Sequence, residues 1–320
     1  MVKLSDIKQA RKRIHGVAIR TPLLRFPRSK DFDLFLKAEC LQPVGSFKLR
    51  GAYNKIASLT DAERKRGVIA HSSGNHAQGV AYAARALGVR ATIVVPDNIP
   101  DIKLKATKGY GAEVVIVGPN SADRIQKTAE LEAQYGFVPV PPYNDEKIIA
   151  GQGTIGLEIM EDLADVELVL APVSGGGLIS GIASAVKQMN SKVKVVGVEP
   201  ELAGDAQASL RQKQRVTFPA EQVGRTIADG LRTSPVGEIP FAHIMKFVDD
   251  IVTVSEDEIR ESMRLILHNT RIVAEPSGAV APAAVFFHAE QLPKARKIAA
   301  VVSGGNVDPK MLVSILGSEK

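Results

Sequence analysis

Four short segments combine residue types that could do chemistry. The first is Gly45-Ser46-Phe47-Lys48-Leu49-Arg50-Gly51. A lysine at the start of a helix could simply face solvent. In a partly desolvated pocket its amine would instead have a depressed pKa and could attack an aldehyde to form a Schiff base. The second, Ser72-Ser73-Gly74-Asn75-His76-Ala77-Gln78-Gly79, follows a strand-like run and opens a helix. One serine would suffice for an ordinary N-cap. The whole run of small residues also suits a ligand that approaches free N–H groups. The third, Ser174-Gly175-Gly176-Gly177-Leu178, has the same strand-to-helix setting. Its backbone donors could bind a phosphate, although a glycine-rich turn can also be only a turn. It lacks the Gly-Lys-Ser/Thr of a P-loop and the dinucleotide glycine spacing. The fourth, Ser303-Gly304-Gly305-Asn306, is either a polar turn or a loop that sets the Ser303 hydroxyl at the far edge of a bound ring.

The elements that must position these loops are short apolar β-branched runs alternating with helical stretches rich in Ala, Leu, Lys and Glu. Strands are predicted at Val68 to His71, Ala91 to Val95, Glu113 to Val117, near Phe137, and at Leu168 to Val173, Val193 to Val198 and Ile298 to Val302. Helices are predicted at Asn75 to Leu87, Ile102 to Tyr110, Ala122 to Tyr135 and Leu178 to Met189. Such alternation gives βαβ units and mostly parallel sheets. Open parallel sheets bind ligands beyond the carboxyl ends of their strands, where these loops fall. Pro139 to Asn144 reads as a rigid crossing between two lobes, and Leu202 to Val223 as a long polar surface loop.

Composition narrows the function classes. With 320 residues, two lobes are the default. The net charge of +6 is scattered, with no basic tract carrying aromatics, so a solvated surface is expected rather than a nucleic-acid site. The single cysteine, Cys40, lies in an apolar run and reads as a buried inert thiol. The N-terminus reads as an amphipathic helix rather than a signal peptide. No apolar window is long enough to span a membrane. A cytoplasmic location with no membrane partner is expected.

The stretches QPVGSFKLRGAYN, HSSGNHAQGVAYAA, AGQGTIGLEI, APVSGGGLISGIA, RIVAEPSGA and VVSGGNVD, in this order from about Arg20 to Asp308, resemble the β-family (fold type II) of pyridoxal phosphate (PLP) enzymes. Within it, the resemblance is to the threonine/serine dehydratase and serine racemase group. It implies an α/β fold of the tryptophan synthase β type, with two open, twisted, mostly parallel sheets flanked by helices. A large PLP-binding domain would comprise residues 1–60 and 145–320, and a small substrate domain residues 61–144. Lys48 would carry the cofactor and Phe47 would pack beside its ring. Asn75 would hydrogen-bond the ring hydroxyl, and Ser303 would meet the ring nitrogen. Gly175, Gly176 and Gly177 would cradle the phosphate, with Ser174, Leu178 and Glu275 completing the cofactor contacts. Ser73, Gly74, Asn75 and His76 would receive the substrate carboxylate, with Arg124 and Thr233 as further substrate contacts. Ser174 replaces the first of four glycines usual in the group, and would be strained if that position needs positive φ.

The implied reaction is elimination of water and then ammonia from threonine or serine, leaving a 2-oxo acid, with Lys48 as the base at Cα. Serine racemase and 3-hydroxyaspartate dehydratase are the alternatives, and Ser73 facing Lys48 across the substrate would permit inversion. Glu199, Ala203 and Asp205 match the spacing of a divalent-cation site in racemase-like relatives, which would take Mg²⁺, Ca²⁺ or Mn²⁺; otherwise they form a solvated acidic loop. A homodimer is implied. Only about a dozen residues follow Asp308, so no regulatory domain is expected there. A non-catalytic module that binds a phosphorylated metabolite is the reading of a different class.

Overall fold

The computed structural model describes residues 1–27, 31–72, 74–99 and 101–317, with the side chains of residues 101–103 and 121 outside that description. In chain order its strands are β1 (Leu23–Arg25), β2 (Asp33–Ala38), β3 (Val68–His71), β4 (Ala91–Pro96), β5 (Glu113–Val117), β6 (Val138–Pro139), β7 (Leu168–Pro172), β8 (Lys194–Pro200), β9 (Asp250–Val254) and β10 (Lys297–Val302). They form a six-stranded sheet ordered β1-β2-β10-β7-β8-β9 and a four-stranded sheet ordered β5-β4-β3-β6. Among the described residues only the β1–β2 pair is antiparallel. The fold is therefore α/β, with two mostly parallel sheets flanked by helices, as expected.

Residue type explains which strands lie inside. Strands β4 and β7 are buried along their whole length, as continuous apolar runs are when helices cover both sheet faces. At the edge, β5 keeps Glu113 and Ile116 exposed. One face of the large sheet packs Leu36, Leu170 and Val198 against the helices Glu256–Thr270 and Pro276–Phe287. The latter helix is apolar on nearly every side, starts with Pro276 at its first turn and is buried accordingly. The other face packs Val169, Ala171 and Val195 against Glu146–Asp162 and Gly177–Met189. A separate core under the small sheet joins Val68, Ile93 and Val95 to the helices Lys48–Ala57 and Asn75–Ala86.

The segment read as a long surface loop, Leu202 to Val223, departs from that expectation. It holds the helices Asp205–Gln212 and Ala220–Val223, with Ala203, Asp205, Ala206 and Ser209 buried. Arg211 to Arg215 stay exposed, as a surface segment would, but Asp205 and Ser209 turn inward. The Ser209 hydroxyl donates to Asp205 O (2.6 Å) and accepts from Val216 N (2.9 Å).

Candidate active site

Lys48 begins the helix Lys48–Ala57. The loop before it is stitched to the loop after β10. Phe47 N donates to Ser303 O (3.0 Å), Gly305 N donates to Gly45 O (2.9 Å), and Ser46 forms an isolated β-bridge with Gly304. This places the lysine beyond the carboxyl end of the large sheet. Its Nζ donates to Pro142 O (3.0 Å) and lies 5.1 Å from the Phe47 ring centroid. Among the described residues Lys48 has no ion-pair partner. Burial lowers its pKa from 10.5 to about 8, with the charge of Glu275 acting in opposition.

The Ser174–Gly177 loop joins β7 to the helix Gly177–Met189. Gly176 has φ +88°, which favours glycine, and is the helix N-cap. The first-turn N–H groups lack intrahelical acceptors, so this terminus suits an anion. A Cβ on Gly175 would come within 2.3 Å of the Tyr143 ring, so the loop passes over that ring only as glycine. Among the described residues the non-glycine positive φ values belong to Lys213 and Arg271. Ser174 is therefore unstrained, and its hydroxyl accepts from Thr233 N (3.2 Å), which brings Thr233 to this loop. Leu178 is buried in the core beneath.

Asn75 opens its helix, and its Nδ2 donates to Glu275 Oε1 (2.6 Å). The Ser303 hydroxyl is buried and, among the described residues, makes one long hydrogen bond, donating to Ser277 O (3.4 Å). Burial, then the charge of Lys48, pushes the His76 pKa down to about 3, so the ring is neutral. Its Nε2 lies 2.7 Å from Val140 O, an acceptor, which fixes the proton on that nitrogen. His76 thus braces the crossing segment. A Cβ on Gly74 would meet nothing within 4 Å, so this loop is open there. Ser73 lies outside the described residues. Arg124 is partly buried, with Nη1 3.4 Å from Pro119 O; burial lowers its pKa, and its charge helps to lower that of His71.

Sequence reading passed over the crossing residues. A cleft of about 330 Å³ is lined by His71, Pro142, Tyr143, Arg215, Ser234 and Gly237. One of its walls, Pro142, is the residue whose carbonyl accepts from Lys48. Pro142 and Tyr143 stood in plain view within PVPPYN, but a rigid turn gives no sign that it will meet a lysine 94 positions earlier.

Away from the lysine, Glu199 on β8 accepts from Ala206 N (3.1 Å) and Gln207 N (2.8 Å). Asp205 accepts from Val236 N (3.2 Å) through Oδ2, while its buried Oδ1 has no hydrogen-bond partner among the described residues. Burial, then the charge of Asp205, raises the Glu199 pKa well above 4.5; burial raises that of Asp205. Among the described residues no group of three or more His, Cys, Asp or Glu side chains could hold a metal. No described helix is long and apolar enough to cross a membrane.

Comparison with known proteins agrees with this geometry. L-threonine ammonia-lyase of Thermotoga maritima is 46% identical over 321 residues, covering 99% of this chain and 78% of that protein. The solved threonine deaminase of T.th. superposes with a TM-score of 0.90 at 43% identity, covering 96% of this chain and 99% of that one. Maize serine racemase gives a TM-score of 0.93 at 35% identity, covering 99% and 97%. Residues 14–304 match the family described as pyridoxal-phosphate dependent enzyme, and the chain belongs to it.

Proposed function

We propose that the protein is an ammonia-lyase that removes water and then ammonia from threonine or serine, with PLP carried on Lys48. The observation that carries this reading is a lysine amine held in a partly buried site, without a counter-ion among the described residues, its pKa lowered to about 8. Such an amine is a nucleophile near neutral pH and, once freed, a base. The rest of the site fits the cofactor. The Gly175–Gly177 amides suit its phosphate, Phe47 offers a ring surface, the Asn75 amide a donor and the loosely held Ser303 hydroxyl a neutral partner for the ring nitrogen. Ser174, Leu178 and Glu275 complete the cofactor contacts. Bound PLP supplies the electron sink for carbanion chemistry. Lys48 then takes the Cα proton, the amides of residues 73–76 hold the carboxylate, and Arg124 and Thr233 border the substrate. Exclusion of water falls to the crossing segment, which His76 braces from Val140.

The organisation that supports this chemistry is a large domain of residues 1–60 and 145–320 and a small one of residues 61–144, one sheet in each. A cytoplasmic homodimer is the working assembly. Glu199, Asp205 and the Ala203 carbonyl are the proposed site for Mg²⁺, Ca²⁺ or Mn²⁺. Asp205 Oδ1, without a hydrogen-bond partner among the described residues, and the two crowded carboxyls support it, since a cation would replace the protons that burial otherwise imposes. Racemisation of serine is the second reading, supported by the likeness to maize serine racemase and by Ser73.

The test is a panel of L- and D-serine, L- and D-threonine and 3-hydroxyaspartates with the holoenzyme. Both 2-oxo acid release and chiral inversion are scored, with Mg²⁺ and with chelator. L-Threonine and L-serine are expected to give the highest kcat/KM, and borohydride should fix the cofactor to the Lys48 peptide. Turnover that survives Lys48→Ala would overturn the proposal.

A further inference from the structure

Asn75 is useful to a bound ring only if its amide points the right way, and an amide can flip. Here the flip is fixed from a distance. Asn306 Nδ2 donates both to Val44 O (2.8 Å) and to Asn75 Oδ1 (2.8 Å). Val44 O is a backbone carbonyl and can only accept, so the Asn306 atom facing it must be nitrogen. That nitrogen then requires an acceptor on Asn75, which makes the facing atom Oδ1. Asn75 Nδ2 is thereby the donor to Glu275 Oε1 at 2.6 Å, with one of its two hydrogens. The orientation of both amides follows from one carbonyl.

The backbone around the relay leaves no slack. A Cβ on Gly45 would fall 2.3 Å from Asn306 Oδ1. A Cβ on Gly304 would fall 2.1 Å from Glu275 Oε1 and 3.2 Å from Asn75 Nδ2. Glu275 N also donates to Gly304 O (3.0 Å), which anchors the carboxylate-bearing residue to the same loop.

We propose that Asn306 is a positioning residue: with Glu275 it locks the Asn75 amide so that the second Nδ2 hydrogen is presented to the ring oxygen of PLP. This inference rests on the reading of Lys48 as the PLP lysine. Asn306 does not touch the reacting atoms. It acts by denying Asn75 the flipped state, in which an amide oxygen would face the negatively charged ring oxygen and repel it.

The experiment uses apoprotein reconstituted with PLP, in wild type, Asn306→Asp, Asn306→Ala, Asn75→Ala and the double variant Asn75→Ala/Asn306→Ala. Aspartate matches asparagine in size, but its carboxylate cannot donate to Val44 O and Asn75 Oδ1 together. The readouts are the wavelength and pH midpoint of the visible PLP–lysine band, the PLP dissociation constant, and kcat separately from KM. For Asn306→Asp we expect a displaced midpoint, PLP binding weakened about ten-fold as for loss of one hydrogen bond to a charged group, and a fall in kcat with KM within about two-fold. The double variant should match Asn75→Ala alone, because the two residues act through one contact. Unchanged band and midpoint in both Asn306 variants, or additive losses in the double variant, would overturn the role of Asn306. A wild-type protein that develops no visible band with PLP, and no borohydride-stable adduct on Lys48, would instead overturn the reading on which it rests. Thermal melting of the apoproteins separates a folding defect in Asn306→Ala from the effect on the band, and Asn306→Asp then decides.

Discussion

Lys48 and Arg50 lie two residues apart on one helix, and both hold their charged groups away from water. Arg50 is fully buried and completely engaged. It grips Glu39 through Nε and Nη2 (both 2.8 Å) and Glu158 through Nη1 (2.6 Å) and Nη2 (2.9 Å). Lys37 completes the cluster, 2.6 Å from Glu158. Burial opposes the Arg50 charge, but the two carboxylates outweigh it and hold its pKa above the ordinary value. Glu39 shows the reciprocal result: burial favours its neutral form, yet Arg50 and Lys37 bring its pKa below 4.5. Lys48 has one carbonyl as partner among the described residues, and its pKa falls. The chain can pair a buried cation when pairing serves the fold. Among the described residues it gives this amine no carboxylate within ion-pair distance, and a buried amine left so lightly compensated is a candidate functional group.

Removing the unpaired cation should break chemistry and spare the fold. Lys48→Ala is expected to lower kcat/KM by about 10⁴-fold or more, the upper end for loss of a positioned acid–base group. The melting temperature of the apoprotein should hold or rise, because a desolvated charge disappears. A large drop in melting temperature would put Lys48 in the same class as Arg50.

Removing the paired cation should do the reverse. Arg50→Ala leaves Glu39 and Glu158 buried with too little positive charge, which costs about 3–5 kcal/mol of stability in denaturant titrations. The loss should shrink in acid. Glu39 has a depressed folded pKa, so its contribution is present above its unfolded value of 4.5 and is lost as pH falls through the folded value. An equal loss at pH 7 and pH 3 would mean that the charge network is not what Arg50 supports.

The sequence carried this contrast only in part. The alternation of β-branched runs with helices was enough for the small sheet and for β7, β8 and β10 of the large one, because central strands such as β4 and β7 are buried along their whole length; β1, β2 and β9 were not read from it. The loops around Asn75, Gly176 and Ser303 were legible because each puts small or polar residues directly after a strand, and Lys48 because Gly-Ser-Phe precedes it at a loop-to-helix junction. The pairing of Arg50 was not legible: Glu39 is 11 residues away and Glu158 is 108, and no local pattern links them. Tyr143 was hidden for the same reason, since its contact with Gly175 exists only after the crossing folds back. The helix Asp205–Gln212 was missed because its buried polar residues imitate a surface loop until their partners are known.

The pH dependence of cofactor capture sharpens the contrast further. Only a free amine attacks an aldehyde. The rate at which apoprotein forms the PLP–lysine band should rise about ten-fold per pH unit below about 8 and level off above it. The same shift bears on stability. Between about 8 and 10.5 the unfolded chain binds the Lys48 proton and the folded chain does not, so folding gains stability as pH rises through that window. Lys48→Met should lack the gain. A capture midpoint near 10.5 would show an ordinary, hydrated lysine.

The smallest expected effect isolates the carboxylate that does act on Lys48. Glu275 opposes the burial effect and keeps the Lys48 pKa from falling further. Glu275→Gln removes the negative charge but retains an oxygen that can accept from Asn75 Nδ2, so the amide relay survives. The capture midpoint should then move downward, by less than about one unit, since the interaction is a charge effect without a direct hydrogen bond. The direction is the informative part. A drop means that Lys48 senses Glu275 across a low-dielectric gap, as a lightly compensated cation would. An upward move would mean that the change had opened the pocket to water and relieved the desolvation on which the low pKa depends, leaving Lys48 set apart from Arg50 by exposure rather than by the absence of a partner.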